Sequence, residues 1–289
     1  MLFKISRAFV VAGVAAVILF ACGKSFLDTS PRGVLDEETL SDVKGLNNLL
    51  IGAYALLDNY DQAIEFNQFG ASASNALFGD IGGTVANKGS ALGDQCDIYC
   101  PVERHEVTAL NKALNDQWRV LYEGIKRTNQ VLRISARITD MDDATRKNND
   151  GQARFLRGWY HFTGRIVFKK FSYIDVADDD KIISGEIVAV PNEDEIFPRI
   201  VEDAKFAWEN LPEAQEARGR INKWVAGAFY GKVLLYTGDY ATARTVLNDV
   251  VDNGKTPLGE KFDLVPNYGD NFDVSRENSV ESVFAFQAS

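Results

Sequence analysis

Apolar residues recur along this chain at helical spacing, with one long interruption. Leu46, Leu49, Leu50, Ala53, Tyr54 and Leu57 share one face, which predicts a helix running to about residue 57 behind Ser41 as N-cap. Trp118, Leu121, Tyr122, Ile125, Asn129 and Leu132 form the next stripe. Phe155, Leu156, Trp159, Phe162, Ile166 and Val167 predict a helix over about 152–171. A further helix is expected over about 196–210, stopped at Leu211-Pro212 because proline lacks the amide donor. Between these two, residues 175–194 read as an acidic loop or short strand closed by Pro191, with Asp178, Asp179 and Asp180 as a solvated cluster.

The clearest supersecondary signal comes late. Ala226, Phe229, Tyr230, Val233 and Leu234 mark a helix over 223–237, Gly238-Asp239 makes a turn, and Tyr240, Ala243, Leu247 and Val250 open its partner. A Gly-Asp-Tyr turn followed by a small residue, where two helices cross closely, is the layout of a tetratricopeptide-type pair. Gly254 is expected to end the second helix as a C-terminal glycine. The fold class predicted is mainly α: helical pairs stacked side by side, each unable to bury its apolar face alone. Near the end, Ser282 to Gln287 alternates like a strand or core segment with two residues after it, so the chain reads as incomplete at its C-terminus.

Residues 66–114 break the pattern. Gly70, Gly79, Gly82, Gly83, Gly89 and Gly93 punctuate a stretch rich in Ser, Asn and Asp. Nearly fifty residues without periodicity inside a compact domain point to functional loops, with unresolved short helices as the alternative.

The first residues read as an address. Lys4 and Arg7 precede an apolar run from Ala8 to Ala21, too short to span a bilayer, which needs roughly 20 residues. This is the layout of a secretory signal peptide over 1–21. It closes on Leu19-Phe20-Ala21-Cys22-Gly23, similar to a bacterial lipobox, so Cys22 is the expected lipidation site. Residues 22–42, with Ser25, Thr29, Ser30, Pro31 and Gly33, are expected to form a lipidated tether, and 43–289 the helical domain.

The formal charge is −10, and loss of the leader removes two cations. Such acidity excludes a phosphate-binding grip on nucleic acid and leaves a neutral ligand open. Of three cysteines, Cys96 and Cys100 remain, and their spacing leaves open both free thiols and a disulfide closing a very small loop. With His105 the sole nearby imidazole they do not make a zinc site, and no metal or cofactor is expected. Searches for chemistry fail in turn. Gly23-Lys24-Ser25 lacks the upstream glycine of a phosphate loop, since Ile18 stands there. His105-Glu106 lacks the second histidine of a zinc hydrolase, since Ala109 stands there. His161 lies near an apolar face and reads as structural, and Trp118, Trp159, Trp208 and Trp224 fall at core spacing. No catalytic constellation is found.

Taken together these segments resemble the SusD/RagB family of Bacteroidetes surface lipoproteins. Phe26-Leu27-Asp28 and Pro31 after Cys22 are similar to the family's post-cysteine stretch. Trp118, Tyr122, Ile125 and Asn129 resemble its first long-helix signature, and Ala153 to Phe162 its most recognisable block. Ile200-Val201-Glu202-Asp203, Leu211-Pro212, Gly219 to Lys223 and Glu281 to Phe284 follow in order. A Gly-x-Pro-Leu turn common in the family is missing after Phe171. The resemblance implies a tetratricopeptide-like superhelix with irregular ligand loops, a C-terminal half beyond this chain, and glycan capture without catalysis. The implied setting is the outer membrane, anchored by lipid beside a SusC-like TonB-dependent transporter. Asn75, Phe78, Asp80, Asn87, Asp94, Asp97 and Tyr99 are then candidate ligand residues, as amides, carboxylates and rings suited to sugars. Competing readings are a helical-repeat lipoprotein whose ligand is a protein, and a surface glycoside hydrolase.

Overall fold

The structure, a computed structural model, describes residues 40–58, 76–89 and 93–287. The chain divides into two units, Met1–Leu40 and Ser41–Ser289, and every element below belongs to the second. Cys22 and Asn75 lie outside the described residues.

Helix α1, Val43–Tyr54, starts one residue later than the sequence pattern suggests: Asp42, not Ser41, caps it, accepting from the Gly45 amide at 2.6 Å. A 3-10 turn, Ala55–Leu57, carries the apolar stripe on to Leu56 and Leu57. The irregular segment holds two short elements, a π-helical turn at Ala76–Ile81 and helix α2, Cys96–Glu103. Helix α3, Lys112–Arg137, has 26 residues and is about 39 Å long. Asn111 joins α2 to it, accepting from the Ala113 amide at 2.9 Å and donating to the Ile98 carbonyl at 2.8 Å.

Helix α4, Asp143–Phe168, begins nine residues before the apolar stripe suggested. Asp142 caps it, accepting from the Thr145 amide and hydroxyl at 2.9 and 2.7 Å. The segment expected as an acidic loop or strand contains helix α5, Val176–Ser184, capped by Asp175 and closed by Gly185 at φ +76°. Helices α6, Phe197–Asn210, α7, Lys223–Thr237, and α8, Tyr240–Asn253, stand where periodicity placed them. Asn222 does double duty before α7. Its carbonyl oxygen accepts from the Val225 amide, while its amide nitrogen donates to the Glu213, Lys255 and Thr256 carbonyls. Residues 282–287, expected as a strand or core segment, are irregular and meet the second reading, with Phe284 and Phe286 resting on the core. Among the described residues no strand forms beyond two isolated bridges.

The helices stack in sequence. α1 lies on α3 and α4, α3 on α4, α4 on α6, α6 on α7 and α7 on α8. One core runs through all of them, from Leu46 and Leu50 through Leu121, Leu156 and Ile200 to Val233 and Ala243. Close crossings depend on missing side chains. A Cβ on Gly124 of α3 would stand 2.6 Å from the Tyr160 ring of α4. Gly254 ends α8 with ordinary backbone, φ −63°, so it is no left-handed cap. A Cβ there would collide first with the Val250 carbonyl oxygen and then with the Phe262 ring at 2.6 Å. A smaller cluster of Leu77, Ile81, Tyr99, Val102 and Ala113 sits at the N-terminal end of α3.

Candidate functional site

The polar residues of the most recognisable sequence blocks meet inside the stack. Arg157 of α4 grips both oxygens of Asp203 of α6 at 2.7 and 2.8 Å and reaches Asn129 of α3 at 3.1 Å. Tyr173 donates to the same carboxylate at 2.6 Å. Asn129 donates to the Ile174 and Asp175 carbonyls, and His161 accepts from the Ile174 amide while its other nitrogen lies 2.8 Å from the Arg157 carbonyl. Burial holds His161 neutral, pulling its pKa down to about 3. Burial also works against the Arg157 charge, but Asp203 outweighs it and raises that pKa above its ordinary value. This hub clamps residues 171–175 onto three helices. Its groups are occupied with each other, a structural role.

Asp179, read in sequence as solvated, is not. Its carboxylate is buried and accepts from Arg133 of α3 at 2.6 Å, docking α5, while Asp180 reaches the same guanidinium from an exposed position at 2.5 Å. Arg199 ties Asp175, Asp178 and Glu193 together at 3.2–3.4 Å.

The remaining candidate ligand residues gather at the N-terminal end of α3. Asp80, Asn87, Asp94 and Asp97 are exposed. Asn87 accepts from the Gly89 amide at 2.7 Å and donates to Glu103, which fixes its amide plane. Asp94 pairs with Lys88 at 3.2 Å, and the Lys88 ammonium lies 5.9 Å from the Tyr99 ring centre. Tyr99 itself is 1% exposed within the small cluster. Its ring serves as core and offers no face to a ligand, which corrects its expected stacking role. Phe78 is half-buried against the same cluster. Cys96 and Cys100 are one turn apart in α2, Cα–Cα 4.8 Å, and joined as a disulfide.

One feature of this end escaped sequence reasoning. Trp118 packs one side on Tyr122, Phe168 and Phe171, with ring centres 4.9–5.1 Å away. Its other side lines an open groove of about 530 Å³ together with Tyr122, Ile174, Val190, Pro191 and Asn192. Helical spacing predicts that a tryptophan faces the core. It does not reveal that the neighbouring loop stops short of covering it.

Stacked helical pairs, with an irregular segment of exposed amides and carboxylates before α3 and a half-open indole on α3 itself, define a tetratricopeptide-type scaffold. The chain belongs to the SusD-like family: residues 25–235 match the family described as starch-binding and associating with the outer membrane. A SusD-like protein of Bacteroides ovatus is 27% identical over 99% of this chain and 50% of its own length. The chain thus spans about half of that relative. Among solved structures, surface glycan-binding protein A of Bacteroides thetaiotaomicron in complex with laminarihexaose is 20% identical at a TM-score of 0.65. The match covers 83% of this chain and 48% of that one. A structure solved with a xylogluco-oligosaccharide is 25% identical at a TM-score of 0.62, over 82% of this chain and 46% of its own. Among the described residues no helix is long and apolar enough to cross a membrane, and no group of three or more His, Cys, Asp or Glu could hold a metal ion.

Proposed function

We propose that the protein is a surface glycan receptor: it captures oligosaccharide or polysaccharide without cleaving it and passes it to a SusC-like TonB-dependent transporter. Cys22 carries the lipid that holds it at the outer membrane, facing outward. The observation that carries this reading is the match to a starch-binding family over residues 25–235, joined to a relative whose structure holds a xylogluco-oligosaccharide. The chemistry at the N-terminal end of α3 supports it. Sugars stack a ring face on an aromatic and give their hydroxyls to amides and carboxylates. Trp118 supplies the face, while Asn87, Asp80 and Asp94 supply exposed polar groups. Phe78, Asn75 and Asp97 are the further members of the set proposed from sequence that the burial of Tyr99 leaves.

The test is migration of the full chain through native gels cast with laminarin, xyloglucan or starch. At least one glycan is expected to retard the protein, and Trp118→Ala with Asn87→Ala to relieve the retardation while circular dichroism stays native. Retardation that survives both substitutions would move the site elsewhere. Labelling with a palmitate analogue checks the anchor: the wild type takes the label and Cys22→Ser does not.

A further inference from the structure

A wide cleft lies at the other end of the α3–α4 hairpin, where α1, the start of α4 and the 211–221 connection meet. It holds about 860 Å³ and is lined by Asn47, Asn148, Gln152, Asn210, Gln215 and Arg220. Three side-chain amides of that set, Asn148, Gln152 and Gln215, are held in place by one another and by Tyr54. Asn148 and Gln215 exchange hydrogen bonds at 2.8 and 3.3 Å. Gln152 donates to Asn148 at 3.0 Å and accepts from the Tyr54 hydroxyl at 2.8 Å. Arg220 donates through one nitrogen to Asn47 at 2.6 Å. Its other terminal nitrogen, Nη1, is buried and meets no hydrogen-bond partner among the described residues.

We infer that this cleft is a second ligand site, for a saccharide that carries a carboxylate, a uronate-containing glycan. Three features point the same way. The amides are rigid, so little entropy is lost when they take up hydroxyls, and Asn148 Nδ2 and Gln215 Oε1 each keep unused hydrogen-bonding capacity. The lining holds two cations, Lys147 and Arg220, against one carboxylate, Glu216, on a chain of net charge −10. Arg220 places a guanidinium charge on the cleft wall, and such a group gives a carboxylate a charge-assisted hydrogen bond that a neutral sugar does not match. The site is separate from the one proposed above, about the length of α3 away. Either can fail without the other.

The experiment is calorimetric titration of the full chain with trigalacturonate, followed by amide exchange over residues 211–221 in the bound state. Binding with protection of 211–221 is expected. Arg220→Gln should weaken it by about tenfold or more, as loss of a charge-assisted hydrogen bond does. Since Arg220 also rests on Tyr54, its ring centre 5.4 Å away, a second variant guards against misfolding. Ala217→Trp, at an exposed position on the rim, fills the cleft and should abolish binding. An Asn87→Ala/Asp94→Ala chain should still bind. No binding of trigalacturonate, or binding untouched by both cleft variants, overturns the site. Equal protection of 211–221 by laminarihexaose overturns the carboxylate selectivity.

Discussion

Arg157 of α4 and Asp203 of α6 meet as a two-pronged ion pair with side chains only 7% and 2% exposed. Each is buried enough that losing the other would leave its charge uncompensated. Removing one partner of such a pair costs about 3–5 kcal/mol, because the survivor keeps an uncompensated charge. Asp203→Ala should therefore lower unfolding free energy in urea by about that amount. Arg157→Met with Asp203→Leu should cost less than the two single changes summed. Strict additivity would show that the residues do not act as a pair.

His161 makes stability depend on pH. Its folded pKa is about 3 and its unfolded value that of ordinary histidine, so the unfolded chain binds the extra proton in between. The contribution is whole above the unfolded pKa and is lost as pH falls toward 3, by up to about 1.4 kcal/mol per pH unit. Arg157, Asp203 and Arg199 are the charged groups that face it. Urea melts at several pH values should show a steeper acid loss for the wild type than for His161→Gln. Identical slopes would mean that the imidazole is already protonated or exposed.

The hub was legible as residues and not as a hub. Asn129 and His161 announce themselves by sitting polar on apolar stripes, but the partners of Asn129 lie 28 to 46 residues away and His161 accepts from Ile174, in backbone that no periodicity describes. The early start of α4 was hidden for a related reason. Its first two turns carry Thr145, Arg146, Lys147, Asn148 and Asn149, a polar run that resembles a loop until Asp142 is recognised as a cap. The helices from α6 to α8 were legible because caps, stripes and Pro212 agree. At the candidate site, exposure of Asp80, Asn87 and Asp94 matched the polar composition of their segment. The burial of Tyr99 did not, since it comes from tertiary contact with Leu77, Ile81 and Ala113.

Asp179 and its neighbours test the correction to the acidic segment. Asp179→Ala takes from Arg133, whose side chain is 8% exposed, its buried carboxylate, whereas Asp180→Ala removes a half-exposed partner. The first should destabilise by at least about 1 kcal/mol more than the second. Protease cleavage within 176–186 should rise with the first substitution only. Equal effects would return Asp179 to the solvated surface.

Two glycines should respond oppositely to alanine. Gly52 in α1 has open space around its Cα, so Gly52→Ala should stabilise by about 0.5–1 kcal/mol through helix propensity. Gly124→Ala gains the same propensity but pushes Tyr160, whose hydroxyl donates to the Ala53 carbonyl at 2.6 Å. A net loss is expected there. Thermal melting of both variants decides it, and a stabilised Gly124→Ala would refute the close α3–α4 crossing.

The central claim is capture without chemistry, and one paired measurement tests it most directly. The full chain is run through native gels containing each glycan of a panel, and the same protein and glycan are incubated and assayed for new reducing ends. The account predicts retardation by at least one glycan with no rise in reducing ends over hours. New reducing ends that track the protein would contradict it by making the chain a hydrolase, and migration unaffected by every glycan would contradict it by removing the ligand.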